Sequence, residues 1–159
     1  MSRELVWRLR ARFAYGMARR LMGWPWLARQ PRAWQWMQGQ FARMAALGHV
    51  PAQSFYGHLL LFRGQGQGAR EEGLRLLALA AAAGDAKSAY QLGVQALQGD
   101  LRKAPDGATA ARYWEQAAAA GHPLAARRLA DLYREGAPGV PANPALAARY
   151  SEHAAQLGL

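Results

Sequence analysis

Four histidines, four serines and ten carboxylates are the side chains of this chain that could do acid–base, nucleophilic or metal chemistry. Their spacing closes most of those routes. His49 and His122 follow glycines of two internal copies of one motif, which makes them turn residues. His58 stands alone, and His153 has only Glu152 beside it. No His-x-x-x-His and no paired His/acid cluster at ligand spacing occurs, so no metal-binding residues are expected. There is no cysteine, which removes thiolate ligands, disulfides and a cysteine nucleophile together. Ser54, Ser88 and Ser151 fall inside helical patterns, without the sharp strand-to-helix turn that exposes a catalytic serine. The carboxylates are scattered, and no pair is placed for general acid–base work. Gly64-Gln65-Gly66-Gln67-Gly68 is glycine-rich enough for a phosphate loop, but no Lys-Ser/Thr follows and no strand precedes. It reads as a loop between helices, the second opening at Ala69-Arg70-Glu71-Glu72. The expectation is a non-enzyme with no catalytic residue, no cofactor and no small-molecule substrate.

The elements that carry these residues repeat. Ala-Ala-Ala-Ala-Gly occurs at 80–84 and at 117–121, with related copies at 45–48 and 154–158. The glycines fall at 48, 84, 121 and 158, in steps of 36, 37 and 37. Tyr56-Gly57, Leu92-Gly93 and Leu129-Ala130 keep the same phase, as do Gly64, Gly99 and Gly136. A fixed period of this length is the signature of stacked supersecondary units.

Each period holds two helices. The first are expected at 51–63, 86–98 and 123–134, the second at 69–83, 107–120 and 143–157. Ala89, Leu92, Gly93 and Ala96 form a stripe at i, i+3, i+4, i+7, repeated by Ala126, Leu129, Ala130 and Tyr133. In the second helices Ala110, Trp114, Ala117 and Ala118 align with Ala147, Ser151, Ala154 and Ala155. Small residues there let helix axes approach closely. Glycines provide left-handed helix ends, and Asp106 and Asn143 are placed as N-caps.

This pattern resembles the Sel1-like repeat, a relative of the tetratricopeptide repeat. Ala89, Leu92, Gly93, Ala96, Gly99, Ala110, Tyr113, Trp114, Ala117, Ala118 and Gly121 carry one copy. Ala126, Leu129, Ala130, Tyr133, Gly136, Ala147, Tyr150, Ala154, Ala155 and Gly158 carry the next. The copy at 49–84 is degenerate, with Gln53 where alanine is expected. The resemblance implies an all-α fold, an α/α solenoid of antiparallel helix hairpins wound right-handedly, acting in protein–protein assembly without catalytic residues.

Composition divides the chain at the start of the array. Hydrophobic residues make up 52% and charged residues 19%, which argues against disorder. Residues 1–50 hold nine arginines against the single acid Glu4, and five of the six tryptophans. The expected organisation is a basic, Trp-rich pair of N-terminal helices at 1–48, followed by the repeat array at 49–159. Residues 31–47 read as a half repeat, with Trp34, Met37, Phe41 and Met44 on one face. Residues 3–22 form a basic amphipathic helix whose apolar face carries Leu5, Leu9, Phe13 and Met17. No run of 18 apolar residues exists, and arginines interrupt every candidate secretory core. A cytoplasmic location is expected, with the inner face of the membrane as its alternative site.

The expected contact surface has two parts. On the first helices, the sides opposite the core stripes carry Phe55, Leu59 and Phe62, then Gln91, Val94 and Gln95, then Arg128 and Leu132. On the N-terminal helix they are Arg8, Arg12 and Arg19. The favoured partner is another protein or peptide, acidic in character, with Phe55 and Phe62 either anchoring it or covered by the chain's own N-terminal helices. An anionic membrane surface is the alternative, and nucleic acid the weaker third. The helix at 3–22 is first of all expected to cap the apolar edge of the array.

Overall fold

Among the glycines with positive φ, four recur at the repeat period: Gly48, Gly84, Gly121 and Gly158, with φ of 77°, 93°, 83° and 99°. Each closes a helix in the same way. The amide after the glycine bonds back five residues, His49 to Met44, Asp85 to Ala80, His122 to Ala117 and Leu159 to Ala154, at 3.0–3.3 Å. At the first three turns, the residue after the glycine is also the N-cap of the next helix. Helix end and helix start therefore share one residue, and only three residues separate consecutive helices at these turns.

The computed structural model describes residues 3–159, except for the side chains of residues 3–5 and 28. Among these residues the regular elements are all helices: α1 (Arg3–Leu21), α2 (Pro25–Ala28), α3 (Pro31–Ala46), α4 (Val50–Arg63), α5 (Gly66–Ala82), α6 (Ala86–Gln98), α7 (Gly107–Ala119), α8 (Pro123–Glu135) and α9 (Pro144–Gln156). The fold is all-α, with three hairpins after the N-terminal helices. The caps sit where the sequence places them. Asp106 accepts from the Thr109 amide at 2.9 Å and Asn143 from the Leu146 amide at 3.1 Å. Asp85 and His49 cap in the same manner, at 2.8 and 3.3 Å. Two differences are local. The glycine-rich stretch is shorter as a loop than expected, because α5 begins at Gly66 rather than at Ala69. Glycine weakens a helix without forbidding it. Pro25 at the first turn also starts a short α2 between the two N-terminal helices expected at 3–22 and 31–47.

The chain gathers into two compact units, Met1–Leu76 and Leu77–Leu159, so the compositional boundary at 48/49 lies inside the first. In the first unit, Met37, Phe41 and Met44 of α3 are buried together with Ala52 and Leu59 of α4 and Ala11, Tyr15 and Ala18 of α1. Edge-on ring contacts tie this core, Tyr15 to Phe41 at 6.0 Å and Phe41 to Phe55 at 5.0 Å. In the second unit, Trp114 of α7 is 1% exposed and its indole N–H donates to the Tyr90 carbonyl at 3.1 Å. Asp106 N–H to Ala96 and Asn143 N–H to Tyr133 are the same loop bond one period apart.

The seating of α1 differs from the expectation for a capping helix. Its Leu9, Phe13 and Met17 are 54%, 75% and 41% exposed, and they do not face the core. Leu5, read with them, lies outside the described side chains. The helix packs through the opposite face, by Ala11, Ala14, Tyr15 and Ala18. Small residues let α1 approach α3 closely, while Tyr15 reaches both Phe41 and His49. Close approach favours the alanine face over the one with larger hydrophobic side chains.

Candidate interaction surfaces

In the first unit, α4 carries three of the expected contact residues, and they have different fates. Leu59 is 7% exposed, inside the core. Phe55 is half-buried, its ring against Phe41 and under the Arg19 guanidinium, 5.1 Å from the ring centre. α1 thus brings Arg19 and Phe55 together, and both are engaged within the chain. Phe62 remains 65% exposed, with the His58 ring stacked on it at 6.3 Å. Arg8 and Arg12 are exposed on α1.

In the second unit, Gln91, Val94 and Gln95 are partly exposed along α6. Gln95 donates to Gln98 at 3.4 Å, which orders part of this polar row. On α8, Arg128 is exposed but Leu132 is 5% exposed and belongs to the core. The start of α8 is tied to α6 by the His122 ring, stacked on Tyr90 at 4.6 Å with planes 12° apart. Burial lowers the His122 pKa, and the Lys87 charge lowers it further, with the Asp85 charge opposing. His49, at the matching turn, is lowered by burial and then by Arg12.

A polar cluster emerges that sequence patterns did not single out. Tyr133 of α8 and Tyr150 of α9 stack at 5.8 Å, and both hydroxyls donate to Glu115 Oε1 of α7, at 3.2 and 3.3 Å. Burial raises both tyrosine pKa values, and the Glu115 charge raises them further. Beside the cluster lies a cleft of about 390 Å³ lined by Glu115, Arg149, Tyr150, Glu152, His153 and Gln156. Glu115's oxygen is already engaged by two hydroxyls, and the arrangement holds α7, α8 and α9 in register. The signal in the sequence was Tyr133 and Tyr150, two aromatics at half-exposed positions of facing helices.

Two features of the first unit were also not read from the sequence. One is that α1 packs through its alanine face, so that Leu9, Phe13 and Met17 of the stripe read from the sequence stay uncovered. The other is a cleft of about 370 Å³ between α1 and α3, lined by Trp7, Arg10, Trp36, Gln40 and Arg43, with Arg43 over the Trp7 ring at 5.9 Å. The excess of arginine and tryptophan was visible in the sequence, but pairing across two helices was not. Among the described residues no group of histidines and carboxylates is clustered to hold a metal ion.

Known proteins resemble this arrangement. A Sel1 repeat protein from Oxalobacter formigenes superposes with a TM-score of 0.67 at 27% identity, over 78% of this chain and 35% of that one. The c5321 protective antigen present in uropathogenic Escherichia coli strains, which displays an SLR fold, matches with a TM-score of 0.68 at 24% identity, over 77% of this chain and 26% of that one. The chain therefore spans about a quarter to a third of the length of these two structures. The immunity protein Pa5087 from Pseudomonas aeruginosa shares the fold with a TM-score of 0.56 at 17% identity, over 92% of this chain and 68% of that one. No curated protein matches the sequence. The Sel1 repeat itself matches residues 50–85, 86–122 and 123–159, in phase with Gly48, Gly84, Gly121 and Gly158, and the chain belongs to the Sel1 repeat family.

Proposed function

We propose that this chain is a scaffold or adaptor that binds another protein or peptide through its first-helix side chains and its basic N-terminal face. Sel1 repeats form a fold that generally mediates protein–protein interaction, which sets the class. The observation that carries the finer reading is Phe62, a large apolar ring 65% exposed on α4 while Leu59 and Leu60 beside it are buried. An exposed aromatic stacked by His58 is a preordered anchor, costing a partner little side-chain entropy. On α6 the corresponding contacts are Gln91, Val94 and Gln95, and on α8 Arg128. Leu59, Leu132 and Phe55 support these surfaces from beneath. Arg8, Arg12 and Arg19 favour an acidic partner.

The experiment is affinity capture with the whole chain, followed by identification of the bound proteins. Phe62→Ser in one variant and Val94→Glu/Gln95→Glu in another change only exposed or half-exposed positions, so both should stay folded. Loss of the same partner from either variant, about tenfold in affinity for a good aromatic anchor, supports the reading. Equal capture of every partner by wild type and by both folded variants sinks it.

A further inference from the structure

The outward face of α1 is uncovered among the described residues and has a specific chemical pattern. Val6, Leu9, Phe13 and Met17, spaced by three, four and four residues, are 39%, 54%, 75% and 41% exposed. This spacing puts them in one line along the helix, opposite the packed Ala11, Tyr15 and Ala18. Arg8, Arg12 and Arg19 border the line on one side and Arg10 on the other, with Arg20 within it, and all five are exposed. No Asp or Glu occurs anywhere from Leu5 to Arg70. Past the end of α1, Trp24 and Trp26 are 56% and 60% exposed. The Trp7–Trp36 cleft with Arg10 and Arg43 opens along the Arg10 border of the same stripe.

We propose that α1 lies flat on an anionic phospholipid bilayer, burying Val6, Leu9, Phe13 and Met17 among the upper acyl chains. Arginines on both borders then meet headgroup phosphates, and the tryptophans take the interfacial position that their half-polar rings favour. Arg20 extends its aliphatic stem along the apolar line and reaches back to the headgroups. For the apolar line itself, a bilayer is a better fit than a protein groove for two reasons. One side of α1 is already fixed against α3, so the helix cannot be enclosed, only laid on a surface. The charge flanking the stripe is of one sign throughout, matching a uniformly anionic plane. α1 lies on the membrane and does not cross it, since no helix among the described residues is long and apolar enough to span one.

The test is co-sedimentation of the full chain with phosphatidylcholine vesicles and with vesicles containing about a third phosphatidylglycerol, at low and high salt. Binding to the anionic vesicles at low salt is expected to exceed binding to the neutral ones by about tenfold, and to fall with salt. Leu9→Asp/Phe13→Asp changes two exposed positions, leaves circular dichroism unchanged, and is expected to lower binding by about tenfold. As a measurement without a variant, lipids brominated in the acyl chain should quench the tryptophan emission of bound wild-type chain. Equal sedimentation with both vesicle types overturns the proposal. So does undiminished binding of the folded Asp variant, which would leave only surface charge attraction. Absence of quenching, or an acidic protein captured through this stripe by a chain that ignores vesicles, overturns it as well. Phe62→Ser is expected to keep full vesicle binding, which separates this proposal from the partner-binding reading of α4.

Discussion

Trp114 and Gly93 show how a single residue sets the spacing of a repeat. A Cβ added at Gly93 would lie 2.5 Å from Trp114 Cδ1, and the indole cannot retreat because its N–H is held by the Tyr90 carbonyl. One period later the aligned positions are Ala130 and Ser151, so the glycine accompanies the tryptophan and the alanine the serine. Gly93→Ala should cost about 1–3 kcal/mol by overpacking, measured by urea unfolding. In a Trp114→Leu background the same change should cost markedly less, and equal costs in the two backgrounds would refute the steric account. The turn histidines add a pH dependence. Both His49 and His122 are held below the ordinary imidazole value, first by burial, then by Arg12 and by Lys87, with Asp85 opposing in the second case. The folded chain therefore resists a proton that the unfolded chain accepts near pH 6.5. Stability is full above that pH and falls below it, toward the lowered folded values, as the unfolded state takes up more protons. His49→Asn/His122→Asn keeps the side-chain acceptor that caps α4 at position 49 and should flatten this part of the stability–pH curve. An unchanged slope would assign the decline to other groups.

At the scale of the element, what the sequence made legible was whatever depends on local backbone chemistry. Gly48, Gly84, Gly121 and Gly158 mark helix ends because left-handed geometry is strained for residues with a Cβ, and Asp106 and Asn143 mark starts because a short side chain must accept an orphan amide. The rotation of α1 was not legible in the same way. Both its Leu/Phe/Met stripe and its Ala/Tyr stripe have helical period, and burial alone favours the larger side chains. Close approach to α3 decides for the smaller ones. The Tyr133–Tyr150–Glu115 cluster was hidden for a different reason, since it joins three helices whose contact depends on how the hairpins stack. The α4–α5 hairpin offers a test of close approach. A Cβ at Gly73 would lie 2.9 Å from the Gly57 carbonyl oxygen and 3.0 Å from the Leu61 amide, both backbone atoms that cannot rotate away. Gly73→Ala should destabilise the chain by about 1–3 kcal/mol. Gly68→Ala, on the same helix with nothing within 4 Å, should be neutral or stabilise by up to about 1 kcal/mol through helix propensity. Similar unfolding midpoints for the two variants would argue against a glycine-mediated helix contact.

At the scale of the whole molecule, the two compact units differ most in charge. Met1–Leu76 carries twelve basic side chains against three acidic ones, and Leu77–Leu159 carries eight against seven. Nearly all of the net charge of +10 therefore belongs to the unit that holds α1 and most of the degenerate first repeat. Like charges at this density repel within one fold, and that repulsion opposes the burial of Phe41, Met37 and Tyr15. The more balanced repeats of the second unit have little such repulsion to relieve. Screening should then act on one unit and not the other. Hydrogen exchange read by mass spectrometry, at low and at moderate sodium chloride, can follow each unit through its own peptides. Peptides from residues 6–76 are expected to gain protection with salt, several-fold in the slowly exchanging amides of α3 and α4. Peptides from residues 77–159 should change little. A uniform gain across the chain would mean that salt acts on hydrophobic burial in general. An anionic surface would supply the same relief locally, so vesicles with about a third phosphatidylglycerol should reproduce the salt pattern at low ionic strength. Protection that rises in the second unit instead would count against charge repulsion as the weakness of the first, and against α1 as the part of the chain that meets lipid.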